Sequence, residues 1–278
     1  MKIGFFITAR LKSSRLKQKI LLDLNGKSIL QRVIDRCLAT EGIDDVVLCT
    51  STNPQDSILY DYALNNRIKF WAGDEVDVLK RLLNASEYYG FDAFLNITAD
   101  NPLFSITISN FLVSMHKKSK FDFIFTKGLP IGCYPYFLRT DALKVVCFMK
   151  KQADTEIWGP FVNRSDFFNI GELIVKNSIF KEEKRLTCDY PEDYEFLKTL
   201  YKSFDSEYII RLTEIFNILT EKPEIWKINE NRIQRSVSKE RISDINKQFD
   251  SYKKSGLAYA KKNLIRLIPK RTKIEFEI

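Results

Sequence analysis

The stretch that decides the fold is KIGFFITARLKSSRLKQKILLDLNGKSIL, residues 2–30. It begins with an apolar run of β-prone residues, Ile3–Thr8, continues into a basic loop, and ends in a helical pattern around Ile29, Val33 and Ile34. A buried strand that leads through such a loop into a helix is how α/β proteins hold phosphate groups. The first thirty residues therefore predict an α/β fold with a phosphate site after its first strand.

The loop itself carries cations and hydroxyl side chains. The cations are Arg10, Lys12, Arg15, Lys17 and Lys19, and the hydroxyl groups are those of Ser13 and Ser14. Neither GxGxxG nor GxxxxGK[ST] occurs in the loop, which disfavours a dinucleotide-binding fold and a P-loop ATPase. A loop of backbone amides, hydroxyls and fixed cations suits a triphosphate. The alternative is a solvated basic turn.

The composition indicates an ordinary folded protein. Its 278 residues, 45% of them hydrophobic, are enough for one large α/β domain or for one domain with an appendage. Arg10 follows the short first apolar run without a cleavage site, so we expect no signal peptide, and no stretch approaches the length of a membrane span. The five cysteines form no CxxC or CxxH cluster. We therefore expect reduced cysteines and a cytoplasmic protein.

The net charge of +8 is concentrated in the C-terminal part of the chain. Residues 230–278 contain 13 Lys plus Arg and 6 Asp plus Glu, whereas residues 1–229 are close to neutral. We therefore divide the chain into a domain of residues 1–229 and a basic extension of residues 230–278. The extension lacks the interleaved aromatic and glycine pattern of RNA-binding modules, so we expect no nucleic-acid partner.

Strands and helices alternate along the first domain. After the first helix, the pattern predicts strands at residues 46–50, 68–71, 93–98 and 121–126, with helices around residues 58–63 and at residues 75–89 and 105–116. This alternation predicts a mostly parallel central sheet with helices on both faces. Ligands of such sheets bind beyond the carboxyl ends of the strands, so the loops after the first, second and fourth strands are the candidate sites.

Two aspartates are placed to hold a metal ion. Asp100 follows the fourth strand, and Asp189 lies between a short predicted strand that ends at Cys188 and a helix that begins at Pro191. A carboxylate at a strand end beside a triphosphate loop suits Mg²⁺, which binds one or two carboxylates together with phosphate oxygens. Taken singly, Asp100 is explained by turn formation and Asp189 by a helix cap. Together, beside the basic loop, they favour a magnesium site.

Several short motifs in a fixed order carry a resemblance to a known family. They are Ala-Arg at 9–10, Ser-Ser-Arg-Leu at 13–16 with Lys19, Leu-Asn-Gly-Lys at 24–27, Cys-Thr-Ser-Thr at 49–52 with Asp56, Gly-Asp-Glu-Val-Asp-Val-Leu-Lys-Arg at 73–81, Ile-Thr-Ala-Asp-Asn-Pro-Leu at 97–103, Leu-Pro-Ile-Gly at 129–132 and Leu-Thr-Cys-Asp-Tyr-Pro-Glu-Asp at 186–193. Over residues 1–205 the chain thus resembles the sugar cytidylyltransferases, a group that includes the CMP-Kdo and CMP-sialate synthetases. Within this group it most resembles the spore coat polysaccharide cytidylyltransferases.

The resemblance implies a glycosyltransferase-A type nucleotidyltransferase fold and a set of site residues. Arg10, Ser14, Arg15 and Lys19 would hold the triphosphate of CTP; Ala9, Ser51, Arg81, Thr98 and Ala99 would line the nucleotide pocket; Gly132, Glu156 and Asn163 would face the acceptor sugar. Asp100 and Asp189 would bind Mg²⁺, and with Arg10 and Lys19 they would form the catalytic set. The chain departs from the family where Lys-Gln-Lys at 17–19 replaces Pro-Gly-Lys, and where a histidine near Glu156 is missing, which leaves the acceptor open.

The implied activity is magnesium-dependent transfer of CMP from CTP to a sugar acid or sugar phosphate, with release of pyrophosphate, for surface glycan biosynthesis. In-line attack on a phosphorus needs mostly positioning and charge neutralisation, which suits a chain with a single histidine. We expect that residue, His116, to lie at the surface at a helix end. Two alternatives stay open: a glycosyltransferase of the same fold that uses a nucleotide sugar, although Asp100 is not part of an Asp-x-Asp motif, and a non-catalytic nucleotide-binding scaffold subunit.

The basic extension has the spacing of two amphipathic helices. Ile242, Ile245, Phe249 and Tyr252 recur at intervals of three and four, and a second segment after Gly256 has Leu257, Leu264, Ile265, Leu267 and Ile268 among lysines. We expect these helices to pack on the first domain or to form a homodimer contact. The alternative is peripheral contact with an anionic membrane surface.

Overall fold

The computed structural model describes residues 1–176, 184–234 and 236–277, and its centre is an eight-stranded sheet. The strands are β1 (Ile3–Thr8), β2 (Asp23–Leu24), β3 (Lys27–Ser28), β4 (Asp45–Ser51), β5 (Lys69–Gly73), β6 (Ala93–Thr98), β7 (Phe123–Lys127), β8 (Tyr136–Arg139), β9 (Asn169–Lys176) and β10 (Lys270–Glu277). β2 and β3 form a separate hairpin, and the others follow the order β10-β9-β7-β8-β6-β1-β4-β5. The pairs made by β8 are antiparallel and the others are parallel, so the sheet is mostly parallel, as predicted.

Helices cover both faces of this sheet. They are α1 (Ile29–Leu38), α2 (Leu59–Asn65), α3 (Val78–Tyr89), α4 (Ile106–Ser119), α5 (Thr140–Met149), α6 (Gly159–Val162), α7 (Pro191–Tyr201), α8 (Leu212–Glu221), α9 (Glu224–Lys227) and α10 (Lys239–Lys262). Phe5 joins the apolar cluster that includes α1 and α4, and Phe6 joins the opposite cluster with α3 and α5. Consecutive strand residues point to opposite faces, so the continuous apolar run of β1 fits a sheet that is buried on both faces. The predicted fold class is confirmed.

Side-chain caps fix where the helices after β3, β5 and β6 begin. Ser28, Asp77 and Ser105 accept hydrogen bonds from backbone N–H groups in the first turns of α1, α3 and α4. α3 begins three residues later than predicted, because Asp74 accepts from the backbone N–H groups of Val76 and Asp77 and holds a turn there. These caps place the loops that precede α1, α3 and α4 at one end of the sheet.

The C-terminal extension differs from the prediction in its second half. The predicted first helix is present as α10, but it runs through Gly256 to Lys262. A β-carbon at Gly256 would lie 2.4 Å from Sδ of Met149, so this glycine permits close packing on α5 and does not end the helix. The predicted second helix does not form as a separate element, because residues 257–262 continue α10 and residues 263–269 are not helical. KRTKIEFE at 270–277, which the prediction left unassigned, forms β10 and pairs with β9. The alternation of exposed charged residues and half-buried residues at 270–277 is typical of a strand.

The segment before Cys188, the strands β8 and β9, and His116 also differ from the sequence-based predictions. The predicted strand before Cys188 is only an isolated bridge between Arg185 and Ile131, and β8 and β9 have no counterpart in the prediction. His116 is buried rather than exposed: its Nδ1 lies 2.7 Å from the carbonyl oxygen of Phe121. Burial lowers the pKa of His116 to about 4. In the part of the chain that the structure describes, no helix has the length and apolar character needed to cross a membrane.

Candidate active site

Two clefts open side by side at the carboxyl ends of the parallel strands. The basic cleft has a volume of about 550 Å³ and lies among the loop after β1, the start of α3 and the end of β6. The wide cleft has a volume of about 930 Å³ and lies among the end of β6, the start of β8, residues 154–166 and the C-terminal extension. The residues that line both clefts are Arg15, Thr98, Asp100, Asp154, Glu156, Trp158 and Asp189. These shared residues therefore mark the junction of the two clefts.

The basic cleft collects nearly all residues predicted to bind the nucleotide. Its lining includes Ala9, Arg10, Ser14, Arg15, Lys19, Arg81, Thr98 and Ala99. Ser51 is placed differently: it is buried, and its hydroxyl donates to Oδ2 of Asp56 at 2.5 Å. Asp56 also accepts from the backbone N–H of Leu11 at 2.7 Å. The structure thus puts Ser51 behind the loop after β1, where it supports that loop.

Lys19 joins Asp100, which follows β6, to Asp189, which precedes α7. Its ammonium donates to Oδ2 of Asp100 at 2.5 Å and to Oδ1 of Asp189 at 2.9 Å. Thr98 donates to the other carboxylate oxygen of Asp100 at 2.6 Å. Burial disfavours the charged form of Lys19, but the two carboxylates outweigh this cost and raise the pKa of Lys19. The fold therefore brings Asp100 and Asp189 together, and a charged lysine bridges them.

Asp189 is held by a buried network that sequence analysis missed. Arg15 donates to its Oδ1 at 2.7 Å, and Arg185 donates to its Oδ2 at 3.0 Å. The fully buried Asp193 accepts from the backbone N–H of Asp189 at 2.9 Å and from Arg185 at 3.1 Å. Burial favours protonation of Asp189, but Lys19 and Arg15 hold its pKa below the usual value. The available signal was the position of Asp193 in the first turn of α7, where a carboxylate caps the preceding backbone.

The junction meets the requirements of a magnesium site. Asp100 and Asp189 offer two carboxylates beside a cleft whose cations suit phosphate oxygens, and this combination is one that Mg²⁺ prefers. Within residues 1–176, 184–234 and 236–277, no group of three or more His, Cys, Asp or Glu side chains could hold a metal ion. A metal here would complete its coordination with oxygens of substrate and water, which suits Mg²⁺ better than a tetrahedral zinc ion.

The residues predicted to face the acceptor all line the wide cleft. They are Gly132, Glu156 and Asn163. Gly132 has a φ of +95°, and a β-carbon there would lie 2.7 Å from the carbonyl carbon of Leu186. Only glycine fits this backbone without strain. The close approach holds the loop before β8 against the segment that leads to Asp189.

Glu156 connects the two clefts. Its carboxylate forms an ion pair with the guanidinium of Arg10, and it lines both clefts. Nearby, the buried Trp158 packs against Tyr136 with ring centroids 5.1 Å apart, and Tyr134 lines the same cleft. Aromatic walls with a few placed polar groups are typical of sites for small molecules. The wide cleft therefore has the lining of a small-molecule site.

The C-terminal extension supplies another part of the wide cleft. The residues that it contributes are Gln234, Arg241, Ile242 and Asn246. Arg241 donates to Oδ2 of Asp154 at 3.0 Å and to its carbonyl oxygen at 2.7 Å, and this hydrogen bonding lowers the pKa of Asp154. Arg164 donates to Oδ1 of Asn246 at 2.8 Å. The sequence placed none of these residues in a ligand site, because the residues that form the two hydrogen-bonded pairs lie 87 and 82 positions apart along the chain.

Known proteins are similar to this chain in sequence and in fold. A family model described as Cytidylyltransferase matches residues 5–223. The uncharacterized protein MJ1063 of Methanocaldococcus jannaschii is 32% identical over 238 residues, which cover 85% of this chain and 98% of that protein. The spore coat polysaccharide biosynthesis protein SpsF of Bacillus subtilis is 23% identical over 229 residues, which cover 80% of this chain and 95% of that protein. A solved cytidylyltransferase from Leptospira borgpetersenii has a TM-score of 0.76 at 24% identity, and the match covers 85% of this chain and 100% of that one.

Proposed function

The chain belongs to the cytidylyltransferase family of nucleotidyltransferases, as its motifs predict, and we propose that it transfers CMP from CTP to a sugar acid or sugar phosphate with release of pyrophosphate. The observation that carries the proposal is the junction of the two clefts, where Lys19 bridges Asp100 and Asp189. A nucleotide in the basic cleft and an acceptor in the wide cleft would meet at this junction. The likeness to a spore coat polysaccharide protein supports a product used for a surface glycan.

In this proposal the basic cleft holds CTP. The ligands of the triphosphate are Arg10, Ser14, Arg15 and Lys19. The planar fork of an arginine binds two phosphate oxygens at once. Arg81 is buried, and the one hydrogen bond of its side chain within the described residues runs from Nη1 to the carbonyl oxygen of Asp74 at 3.1 Å. The remaining N–H donors of Arg81 suit the carbonyl oxygen of a pyrimidine base, which supports its placement with Ala9, Thr98 and Ala99 in the nucleotide pocket.

The proposed reaction is an in-line attack of an acceptor oxygen on the α-phosphorus, with pyrophosphate as the leaving group. Asp100 and Asp189 would hold Mg²⁺, which neutralises phosphate charge when it is bound. Lys19 lies against both carboxylates, and its positive charge would stabilise the departing pyrophosphate. The single histidine, His116, lines neither cleft. Positioning by the two clefts therefore supplies most of the catalysis.

The location and assembly of the enzyme are part of the same proposal. We place it in the cytoplasm, with CTP and a sugar-like acceptor as its partners and no nucleic acid. The apolar stripe of α10 packs on its own chain, since Ile245 and Phe249 are buried among side chains of α5 and α6. This burial supports docking of the predicted extension over contact with a membrane surface.

Pyrophosphate release tests the proposed reaction. The protein is assayed with Mg²⁺ and each of the four nucleoside triphosphates against a panel of sugar acids and sugar phosphates, with Asp100→Ala as the control variant. We expect release with CTP and an acceptor, and its loss in the variant. CTP binding by calorimetry without release against any acceptor would contradict the transfer and favour a scaffold subunit. Sugar transfer from a nucleotide sugar would favour the glycosyltransferase.

A further inference from the structure

Strand β10 ends the sheet, and its outer edge has no partner among the described residues. It pairs on one side with β9, from Lys270 beside Asn169 to Glu277 beside Lys176. An exposed edge is a template for another strand, and proteins cover or pair such edges. At eight residues, β10 is longer than the average strand. The identity of its partner can be derived from its backbone and its charges.

The backbone of β10 determines which residues face outward. The N–H of Lys270 donates to the carbonyl oxygen of Phe168 at 3.2 Å, on the side of β9. Backbone groups of alternate strand residues point to opposite sides, so residues 272, 274 and 276 also face β9. The backbone groups that face outward belong to Arg271, Lys273, Glu275 and Glu277.

One register of two antiparallel β10 strands matches these charges. Hydrogen-bonded pairs across a two-fold axis must join outward-facing residues. An axis centred on Ile274 places Arg271 opposite Glu277 and Lys273 opposite Glu275. An axis centred on residue 273 places Lys273 opposite its own copy, and an axis centred on residue 275 does the same for Glu275. An axis centred on residue 272 pairs Arg271 with Lys273, and one centred on residue 276 pairs Glu275 with Glu277, so that both bring like charges together. The strand is therefore complementary to itself in the register centred on Ile274.

We propose that two copies of the chain associate through β10, antiparallel around Ile274, so that their sheets become continuous. On the other face of the strand, Thr272, Ile274 and Phe276 are half-buried, and the last two pack against the apolar cluster of their own subunit. The pairing extends this apolar row across the axis. The contact replaces the helix-mediated dimer predicted from sequence, because Ile245 and Phe249 of the apolar stripe of α10 are buried within their own chain.

The ion pairs within each chain are compatible with this contact. Lys176 donates to Glu275 at 2.6 Å, and Arg271 lies 3.6 Å from Glu172. The side chains of Lys176 and Glu275 are 57% and 62% exposed. Ion pairs at such exposure contribute little free energy. Glu275 can therefore turn toward the second subunit at small cost, whereas Arg271 also donates to Oδ1 of Asn163 at 2.8 Å and its ion-pair partner Glu172 is buried.

Sedimentation velocity of charge variants tests the contact. We expect a wild-type dimer, and we expect Lys273→Glu and Glu275→Lys each to weaken it at least about tenfold, because each change creates two like-charged cross-strand pairs. The double variant restores opposite charges and the dimer, and an equimolar mixture of the single variants forms a mixed dimer. Circular dichroism checks that each variant is folded. A monomeric wild type at every concentration, or single variants as dimeric as the wild type, would overturn the proposal.

Disulfide trapping tests the register. The two copies of Ile274 form a non-hydrogen-bonded pair with Cα atoms about 4.5 Å apart, which is within reach of a disulfide. Oxidation of Ile274→Cys with diamide, which takes up two electrons and two protons from the two thiols, is expected to give a covalent dimer. Thr272→Cys is the matched control, because position 272 lies opposite the partner's Phe276, so that we expect no covalent dimer from this variant. A covalent dimer from Thr272→Cys and none from Ile274→Cys would contradict the register.

Discussion

The basic cleft and the wide cleft are assembled from different parts of the chain. The basic cleft takes most of its lining from short segments at strand ends and helix starts, within residues 8–20, 75–81 and 98–100. The wide cleft combines segments that are far apart in sequence, within residues 96–101, 131–136, 154–166 and 234–246. The cleft proposed to bind phosphates is thus built from a few local motifs, whereas the cleft proposed for the acceptor depends on which distant segments pack together.

The two clefts also use their charges differently. In the basic cleft, Lys19 and Arg15 converge on Asp189, at the point where phosphates are proposed to bind. In the wide cleft, the arginines form hydrogen bonds within the protein that join the segments lining the cleft: Arg241 donates to Asp154, and Arg164 donates to Asn246 of α10. The basic cleft offers charge to a ligand, and the wide cleft offers shape and hydrogen bonds. The first property suits a common nucleotide, and the second suits selection of one acceptor.

Lys19→Met tests the junction on which both clefts depend, and it has the largest expected effect. The change removes a positive charge at the leaving pyrophosphate, so we expect kcat to fall by about 10²–10³-fold. Lys17→Met is the matched control, because Lys17 lies in the same loop but is exposed and lines neither cleft. Steady-state pyrophosphate release measures both variants. Equal kcat values in the two would contradict the role proposed for Lys19.

Gly132→Ala tests the close packing beside the wide cleft and is expected to change the stability of the protein without changing CTP binding in the basic cleft. Residue 132 has a φ of +95°, and the new β-carbon would also meet the backbone of Leu186. We therefore expect the free energy of unfolding to fall by about 2 kcal/mol. Gly159→Ala is the control, because Gly159 lines the same cleft but a β-carbon there would meet no atom within 4 Å. Urea denaturation measures both. CTP affinity should be unchanged in each, and a matching loss of stability in Gly159→Ala would refute the close-packing argument.

Arg241→Gln tests whether the C-terminal extension belongs to the acceptor site alone. Loss of its hydrogen bonds to Asp154 loosens one wall of the wide cleft. Since this pair is partly exposed, we expect KM for the acceptor to rise about fivefold and KM for CTP to stay at the wild-type value. Lys239→Gln removes the same charge from an exposed position two residues earlier on α10 and serves as the control. A rise in KM for CTP would argue that the extension acts on both clefts.

The difference between the clefts also explains how much of the site the sequence predicts. Arg10, Lys19 and Asp100 follow strands that their own apolar runs define, so their convergence at one end of the sheet follows from the alternation of strands and helices. The sequence pattern indicated the partnership of Asp100 with Asp189, because both were predicted to follow strands beside the basic loop, although the strand before Asp189 is only an isolated bridge. Ser51 shows the limit of motif transfer, because its hydroxyl is turned toward the buried Asp56.

The elements that sequence analysis missed are those defined by packing partners. The antiparallel strand β8 joins the sheet between β6 and β7, a topology that no local pattern specifies. Gly256 has the local signature of a helix end, but the contact with Met149 determines its role. Arg185 and Asp193 form a buried ion pair. In the sequence alone, charged residues such as these are typical of a solvated surface, and only the tertiary structure identifies their partners. Tertiary contacts therefore account for most of the wide cleft.

Glu156→Gln has the smallest expected effect and tests the link between the clefts. Glu156 is paired with Arg10, so a triphosphate in the basic cleft must compete with this carboxylate for the guanidinium. Both side chains are partly exposed, so we expect the Kd for CTP to fall by about threefold in the variant. Glu75→Gln removes the same charge from a carboxylate that binds Lys12 at 2.9 Å in the same cleft. If calorimetry gave equal gains in CTP affinity for both variants, the effect would be a general change in charge. A larger gain for Glu156→Gln would place Arg10 among the ligands of the triphosphate and would make Glu156 the residue through which nucleotide binding alters the wide cleft.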